Sequence, residues 1–241
     1  MIRGEKVCVV IRGQMFRSGG QYSRKTEYSY EQMNALESIK ANIIDPLSLF
    51  CDVFVITDVI TEDARAANEI IIKTFKPCRM RTNASFPKSQ VQGWLDSIHL
   101  AKETCSRLFI VRADLLFKQE IPIVSLLEPE KPVLVPWQIS ERFGSKLSSG
   151  RDRVCDTFAF VSDTNIMIDA LEQHTGEDSL HSIMDWIDCG YIIPNYARDS
   201  DSAKEFNDYY RIIGRNEAAP PAPNDFGGGE DFNDDEDPGA S

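Results

Sequence analysis

Short apolar runs alternate with longer amphipathic stretches through the first half of the chain. The apolar runs predict strands at residues 6–11, 52–57 and 108–112, and a weaker one at residues 78–81. Between these runs, apolar residues recur every three or four positions, which is typical of helices packed on one face. This order of strand and helix predicts βαβ units, whose right-handed crossovers wind a largely parallel sheet.

Three helices are predicted between these strands from their apolar spacing and their start signals. The first follows a capping box formed by Ser29 and Gln32, the second covers residues 62–75 after Thr61, and the third covers residues 89–104. A chain of this order places the carboxyl ends of its strands at one edge, where open α/β sheets bind their ligands.

The second half of the chain has shorter apolar segments and a long polar interruption. Residues 138–152 are rich in Gly and Ser and predict a mobile loop over a site. The flanking pattern predicts strands at residues 132–137 and 157–161, helices at 164–172 and 178–189, a short strand at 191–194, and a last apolar piece at 209–213.

Charge divides the chain into two regions. The 241 residues carry 26 Lys and Arg against 38 Asp and Glu, a formal net charge of -12. Eight of the acids and none of the basic residues lie in residues 216–241, so residues 1–215 carry only -4. We therefore expect one folded domain over residues 1–215 and a disordered acidic tail over residues 216–241. The near-neutral body argues against bulk binding of nucleic acid.

The tail has two interpretations. It is either a solvating segment, or an interaction segment in which Phe226 and Phe232, set among acids, dock on a basic patch of a protein partner.

Cysteine spacing and the lengths of the apolar runs bear on the compartment. The six cysteines are scattered without a C-x-x-C pair, and the first apolar run, residues 7–11, is too short for a signal peptide or a transmembrane segment. We expect free thiols and a cytoplasmic protein without a transmembrane segment.

Candidate chemistry falls at the carboxyl ends of the predicted strands. Gly13 follows the first strand and admits close backbone approach, and Arg17 can meet a phosphate. Asp114 follows the fourth strand and can ligate a divalent cation or hydrogen-bond a sugar. Alternatively, Asp114 caps a turn and Arg112 pairs with a surface acid.

The succession of these motifs resembles GT-A-type glycosyltransferases of capsule, surface-polysaccharide and viral glycan synthesis. The motifs are Gly-Gln with a following Arg after the first strand, CDVFVIT at 51–57, RADLLF at 112–117, DTFAFVS at 156–162 and YYRIIGR at 209–215. The resemblance spans about residues 6–215. It implies a GT-A-like, Rossmann-like α/β fold with a twisted, mostly parallel sheet flanked by helices. It also implies that the first half binds a nucleotide-sugar donor and the second half binds the acceptor.

The resemblance implies roles for individual residues. Gly13, Gln14 and Arg17 match the donor-nucleotide loop, Asp58 faces the base or ribose, and Asp114 matches the acid that binds metal and diphosphate. Arg112 stands where the common D-x-D pattern has its first Asp, so it is expected to balance diphosphate charge itself.

Mn²⁺ or Mg²⁺ is the implied cofactor, with Asp114 as a ligand. His181 is a candidate second ligand, although a single His on an amphipathic helix is also a common structural residue.

Asp156 is the candidate general base, because an inverting transfer needs a carboxylate to deprotonate the attacking hydroxyl. Its alternative is a water-exposed acid at the start of a strand. Trp137 is the candidate acceptor-stacking residue, because it ends a strand beside the polar loop, whereas Trp94 and Trp186 fit helix-core positions.

These features predict a glycosyltransferase that moves a sugar from a nucleotide diphosphate to a glycan or glycoprotein. Two alternatives stay open. One is a non-catalytic nucleotide-binding or replication-associated adaptor whose acidic tail recruits partners. The other is a nucleotidyltransferase that uses the same edge of the sheet.

Overall fold

A seven-stranded sheet flanked by helices forms the centre of the molecule. The computed structural model describes residues 5–16, 28–85, 87–138, 154–177, 180–194 and 207–213. The strands are β1 (Lys6–Gln14), β2 (Asp52–Ile60), β3 (Arg79–Asn83), β4 (Arg107–Arg112), β5 (Leu115–Phe117), β6 (Val133–Val135), β7 (Phe158–Val161), β8 (Cys189–Tyr191) and β9 (Tyr210–Ile212). The helices are α1 (Tyr28–Ile39, continued by a π turn at Lys40–Ile44), α2 (Asp45–Ser48), α3 (Ala64–Phe75), α4 (Gln90–Ala101), α5 (Val124–Leu127), α6 (Thr164–Gln173) and α7 (Ile183–Trp186, preceded by a 3₁₀ turn at Leu180–Ser182).

The strand order of the sheet is β3-β2-β1-β4-β7-β6-β8. Strands β1 to β4 pair in parallel, which confirms the predicted βαβ units. Strand β7 runs antiparallel between β4 and β6. Because β7 is reversed, the residues that precede it lie at the same edge as the carboxyl ends of β1 to β4. The edge predicted for ligand binding therefore collects residues from both halves of the chain.

Both faces of the sheet are covered, so its central strands are almost continuously apolar. Alternate residues of β1 face opposite layers: Val9 belongs to the core on the α1 and α3 side, and Val10 belongs to the core on the α4 and α6 side. Trp94 and Ile98 of α4 pack in the second layer. This alternation fixes which charged residues at the strand ends face α4.

Strand and helix ends differ from the predicted ones by a few residues. Strands β1 and β2 each run three residues further than expected, because the two strands stay paired from Lys6 to Gln14. Asp63 rather than Thr61 caps α3, with its Oδ1 accepting from Ala66 N at 2.9 Å. Ser29 lies inside α1, one residue after its start. The predicted start of α4 is confirmed, since Ser89 Oγ accepts from Gln92 N.

The predicted helix over residues 178–189 is wrong for its last part. Helix α7 ends at Trp186, and β8 then pairs in parallel with β6. Gly190 permits this pairing, because a Cβ at that position would lie 2.8 Å from a side-chain carbon of Leu134. Cys189, the first residue of β8, is buried.

A second, two-stranded sheet was not predicted. Strand β5 pairs antiparallel with β9, so the 209–213 segment lies directly beside the end of β4. None of the described helices is long and apolar enough to cross a lipid bilayer. Three predicted features lie outside the described residues: the polar loop after Gln138, the side chain of Arg17, and the acidic tail over residues 216–241.

Candidate functional site

Four charged residues form a row across the carboxyl ends of the parallel strands. Arg12 on β1 is the register partner of both Asp58 on β2 and Arg112 on β4. Asp58 is in turn the register partner of Arg81 on β3. Register partners project from the same face of a sheet, and Arg12 Nε donates to Ser97 Oγ of α4 at 3.3 Å. The row therefore lies under α4.

Asp58 is saturated by neighbouring donors. Its two oxygens accept from Arg81 Nε at 2.7 Å and Arg81 Nη2 at 2.5 Å. Ser97 Oγ donates to Oδ2 at 2.6 Å, and Asn83 lies 3.4 Å from Oδ1. The two hydrogen bonds that Arg81 donates to Asp58 raise the pKa of Arg81. The carboxylate of Asp58 therefore holds Arg81 and Ser97, and its expected position facing the base or ribose stays a prediction.

Arg12 is buried without a close carboxylate. Its residue is 8 % exposed, and its guanidinium carbon lies 5.5 Å from the centroid of the Trp94 ring. Burial lowers the pKa of Arg12 to about 10, although the charge of Asp58 acts in the opposite direction. Among the described residues, no carboxylate oxygen forms an ion pair with Arg12. The prediction from sequence missed this residue.

Gly93 makes the space that the Arg12 side chain occupies. A Cβ at Gly93 would lie 2.5 Å from Arg12 Nη2 and 2.9 Å from Pro87 Cγ. Any other residue at this position of α4 would displace the guanidinium.

Arg112 and Asp114 form a bidentate ion pair. Arg112 Nε donates to Oδ1 at 2.9 Å, and Nη2 donates to Oδ2 at 2.5 Å. Burial by itself would lower the pKa of Arg112, but the charge and hydrogen bonds of Asp114 raise it above its usual value. The alternative that Arg112 pairs with a surface acid is wrong, since Asp114 is 4 % exposed.

The described residues do not fit a divalent cation. Both Asp114 oxygens face a guanidinium, and within the described ranges no three His, Cys, Asp or Glu side chains converge as metal ligands. His181 does not join Asp114. Its Nδ1 lies 2.7 Å from the Val154 carbonyl oxygen, and its Nε2 lies 3.9 Å from Asp156 Oδ2.

Asp156 lies at the edge of the sheet, two residues before β7. It is 7 % exposed, and Gln90 Nε2 of α4 donates to its Oδ2 at 2.6 Å. The alternative of a water-exposed acid is therefore wrong. The antiparallel direction of β7 brings this carboxylate to the edge that also holds Arg12 and Arg112, and the charge of Asp156 acts on both arginines.

Trp137 is a core residue. Its exposed fraction is 0 %, and its ring stacks on Tyr210 with a centroid distance of 5.6 Å. Phe158 and Tyr209 pack against its other sides. The prediction that Trp137 stacks on an acceptor sugar is corrected, because no ring face is open to a ligand.

Gly13 and Gln14 are the last two residues of β1 rather than a loop after it. Gly13 has a φ of 99°, in the left-handed region that favours glycine, and nothing lies within 4 Å of a Cβ built there. Gln14 is half-buried and pairs with Ile60. Arg17, the third residue of this motif, lies outside the described residues.

A cleft of about 260 Å³ opens between the ends of β1, β2 and β3 and the first turns of α4. Its lining includes Arg12, Gly13, Asp58, Arg81, Gly93 and Asp96. Of these, only Gly13 and Asp58 were predicted. Arg12 and Arg81 follow apolar residues within strands, and only strand register reveals that they lie beside Asp58.

No family model and no curated protein sequence matches this chain. Solved structures do match its fold. The 4-diphosphocytidyl-2C-methyl-D-erythritol synthase from Anaerococcus prevotii superposes with a TM-score of 0.51 at 9% identity, over 79% of this chain and 87% of that chain. HddC from Yersinia pseudotuberculosis, complexed with GMP-PN, superposes with a TM-score of 0.50 at 10% identity, over 88% of this chain and 95% of that chain.

The galactosyltransferase LgtC, solved with donor and acceptor sugar analogues, gives a lower TM-score of 0.44 at 10% identity, over 77% and 72% of the two chains. The predicted fold class is confirmed: the chain has the Rossmann-like α/β fold of the GT-A and nucleotidyltransferase type.

Proposed function

We propose that this protein is a nucleotide-sugar-dependent glycosyltransferase that moves a sugar from a nucleotide diphosphate to a glycan or glycoprotein acceptor. The observation that carries the proposal is the row of Arg81, Asp58, Arg12 and Arg112 beside the cleft at the carboxyl ends of β1 to β4. Open α/β sheets bind ligands at this edge, and guanidinium groups are suited to phosphate.

The donor side of the proposed site comes from the first half of the chain. Gly13 lines the cleft and has no side chain to block it, and Gln14 and Arg17 follow in the sequence. Arg112 carries the positive charge nearest the end of β4, and Asp114 fixes the orientation of its guanidinium. In this proposal Arg112 faces the diphosphate and Asp114 is a positioning residue.

Asp156 is the proposed general base. It takes the proton of the acceptor hydroxyl while that oxygen forms a bond to the anomeric carbon of the donor. The bond between the anomeric carbon and the diphosphate oxygen breaks, and its electron pair leaves with the nucleoside diphosphate. Gln90 supports this role, because its hydrogen bond to Oδ2 leaves the carboxylate in a fixed orientation.

Nucleotidyl transfer is a second candidate, and the burial of Trp137 favours it. Trp137, the residue predicted to hold an acceptor glycan, is in the core and cannot stack on one. A nucleotidyltransferase needs the same arginine-lined edge but takes a small sugar phosphate as its second substrate. Here a phosphate oxygen attacks the α-phosphorus of a nucleoside triphosphate, and pyrophosphate leaves.

One experiment separates the two reactions. The full chain is incubated with uridine, guanosine, cytidine or thymidine diphosphate sugars, and nucleoside diphosphate release is measured. In parallel, nucleoside triphosphates and sugar 1-phosphates are supplied, and pyrophosphate is measured. Glycosyl transfer predicts the first product, and nucleotidyl transfer predicts the second. Formation of neither product by the folded protein would overturn both assignments.

Asp156→Asn tests the proposed base. We expect a fall in nucleoside diphosphate release of at least about a hundredfold, because general base catalysis contributes about 10²- to 10⁴-fold. The matched control is Asp169→Asn, an exposed acid on α6. Unchanged transfer by Asp156→Asn, with the fold verified by circular dichroism, would remove Asp156 from the mechanism.

A further inference from the structure

Arg12 is a buried cation whose hydrogen-bonding capacity is largely unused. A guanidinium carries five N–H donors, and only Nε–H is directed at a described acceptor, Ser97 Oγ at 3.3 Å. The four Nη hydrogens reach no acceptor among the described residues. A buried charge is costly unless it is paired, so a cation with this much unused donor capacity calls for an anionic partner.

The neighbouring charges do not satisfy Arg12. Asp58 is closest in register, but it forms its bidentate pair with Arg81. Arg112 on the other side is a second cation, held by Asp114, and its charge lowers the pKa of Arg12. The charges of Asp58, Asp156 and Asp114 raise the pKa of Arg12, but within the described part of the chain none of the three forms an ion pair with it.

The Arg12 side chain borders open space, because Arg12 lines the cleft. Arg12 and Gly93 both line the cleft, and Gly93 leaves the gap that Nη2 fills. Trp94 supports one face of the guanidinium, which holds its plane in place. Asp96 also lines the cleft. It lies three residues after Gly93 on α4, about 4.5 Å further along the helix axis.

We infer that Arg12 is the anion-binding residue of this cleft and that the group it binds is a phosphate of the ligand. Phosphate supplies the missing counter-charge and accepts the forked Nη donors. The phosphate lies at the Arg12 end of the cleft, away from the carboxylate of Asp96. The inference rests on the proposed function only for the carrier of the phosphate, a nucleotide.

Calorimetric titration of the full chain with inorganic pyrophosphate and with uridine and guanosine diphosphates tests the inference. Arg12→Gln removes the charge and should weaken binding about 10- to 100-fold, the range for a charge-assisted hydrogen bond. Arg79→Gln is the matched control, because Arg79 is a half-exposed arginine of β3 paired with Glu103. Equal affinity of Arg12→Gln and wild type, or no saturable binding by wild type, would overturn the inference.

Two further variants separate binding from folding. Arg12→Met places an apolar side chain beside Trp94 and removes the unpaired charge, so the melting temperature without ligand should stay equal or rise while binding is lost. Gly93→Ala should displace the guanidinium and weaken binding, whereas Gly176→Ala, with nothing within 4 Å of its added Cβ, should not. A large fall in the melting temperature of Arg12→Met would instead mark Arg12 as a structural residue and overturn the inference.

The same measurements distinguish this inference from the proposed function. Binding of pyrophosphate through Arg12 by a protein that turns over no nucleotide sugar would leave the anion site standing and overturn the transferase. If Arg12→Gln turned over nucleotide sugars with full activity and affinity, the transferase would stand and the anion site at Arg12 would be overturned.

Discussion

Arg112 and Asp114, two residues apart at the end of β4, hold each other through two hydrogen bonds of 2.9 and 2.5 Å. The sequence pattern that resembles a metal-binding D-x-D motif therefore folds into an ion pair in which a guanidinium faces the carboxylate. A substitution at Asp114 therefore affects stability as well as activity, because loss of the carboxylate also leaves the buried Arg112 guanidinium without its counter-charge.

We expect Asp114→Asn to lower the free energy of unfolding by about 3 kcal/mol, since it leaves Arg112 without its counter-charge. The double variant with Arg112→Met should be more stable than Asp114→Asn alone. Urea denaturation of wild type, Asp114→Asn, Arg112→Met and the double variant gives the coupling free energy between the two residues. Asp45→Asn is the control, because the Lys40–Asp45 pair is about half exposed and should contribute less than about 1 kcal/mol. Additive effects of the Arg112 and Asp114 changes would contradict the buried pair.

Trp137 should behave as a core residue. Trp137→Ala is expected to cost about 3–5 kcal/mol of stability, because it removes the ring that packs on Tyr210 and Phe158. Leu49→Ala, at a position 77 % exposed, should change stability little. The milder Trp137→Phe should keep the KM for the acceptor. A raised KM with an unchanged melting temperature would restore Trp137 to the acceptor site.

Gly13 should be needed for its backbone conformation. An alanine at φ 99° is strained, so Gly13→Ala is expected to cost about 1–2 kcal/mol even though its Cβ meets no neighbour. Gly176→Ala is the control, with equal space and no such φ. Thermal unfolding of the two variants checks this. Equal melting temperatures would show that β1 relaxes at no cost.

The cysteines should differ in reactivity at pH 8. Burial raises the pKa of the Cys8, Cys105 and Cys155 thiols, and raises that of Cys189 to about 12. These thiols are therefore protonated and shielded at pH 8. Cys78 is exposed and should be alkylated first by iodoacetamide, as mass spectrometry of the digested protein would show. Alkylation of Cys8 or Cys189 at the same rate as Cys78 in the folded protein would contradict the packing.

Local patterns predicted the elements that carry their own signal. The short apolar runs identified β1, β2, β4, β6 and β7, and the Ser89 cap identified the start of α4. Strand β8 and the pairing of β5 with β9 were missed or misplaced. Their existence depends on distant partners.

Sequence alone determined the parallel α/β class, because short apolar runs alternate with stretches in which apolar residues recur every three or four positions, and both patterns are local. It also placed Gly13, Asp58 and Asp114 near the carboxyl edge of the sheet. Only the tertiary structure decided which charges meet there. The register of β1 with β2 and β4 set Arg12 between Asp58 and Arg112, and the reversed direction of β7 brought Asp156 to the same edge. Register and strand direction depend on contacts between residues far apart in the chain, so no local pattern contains them.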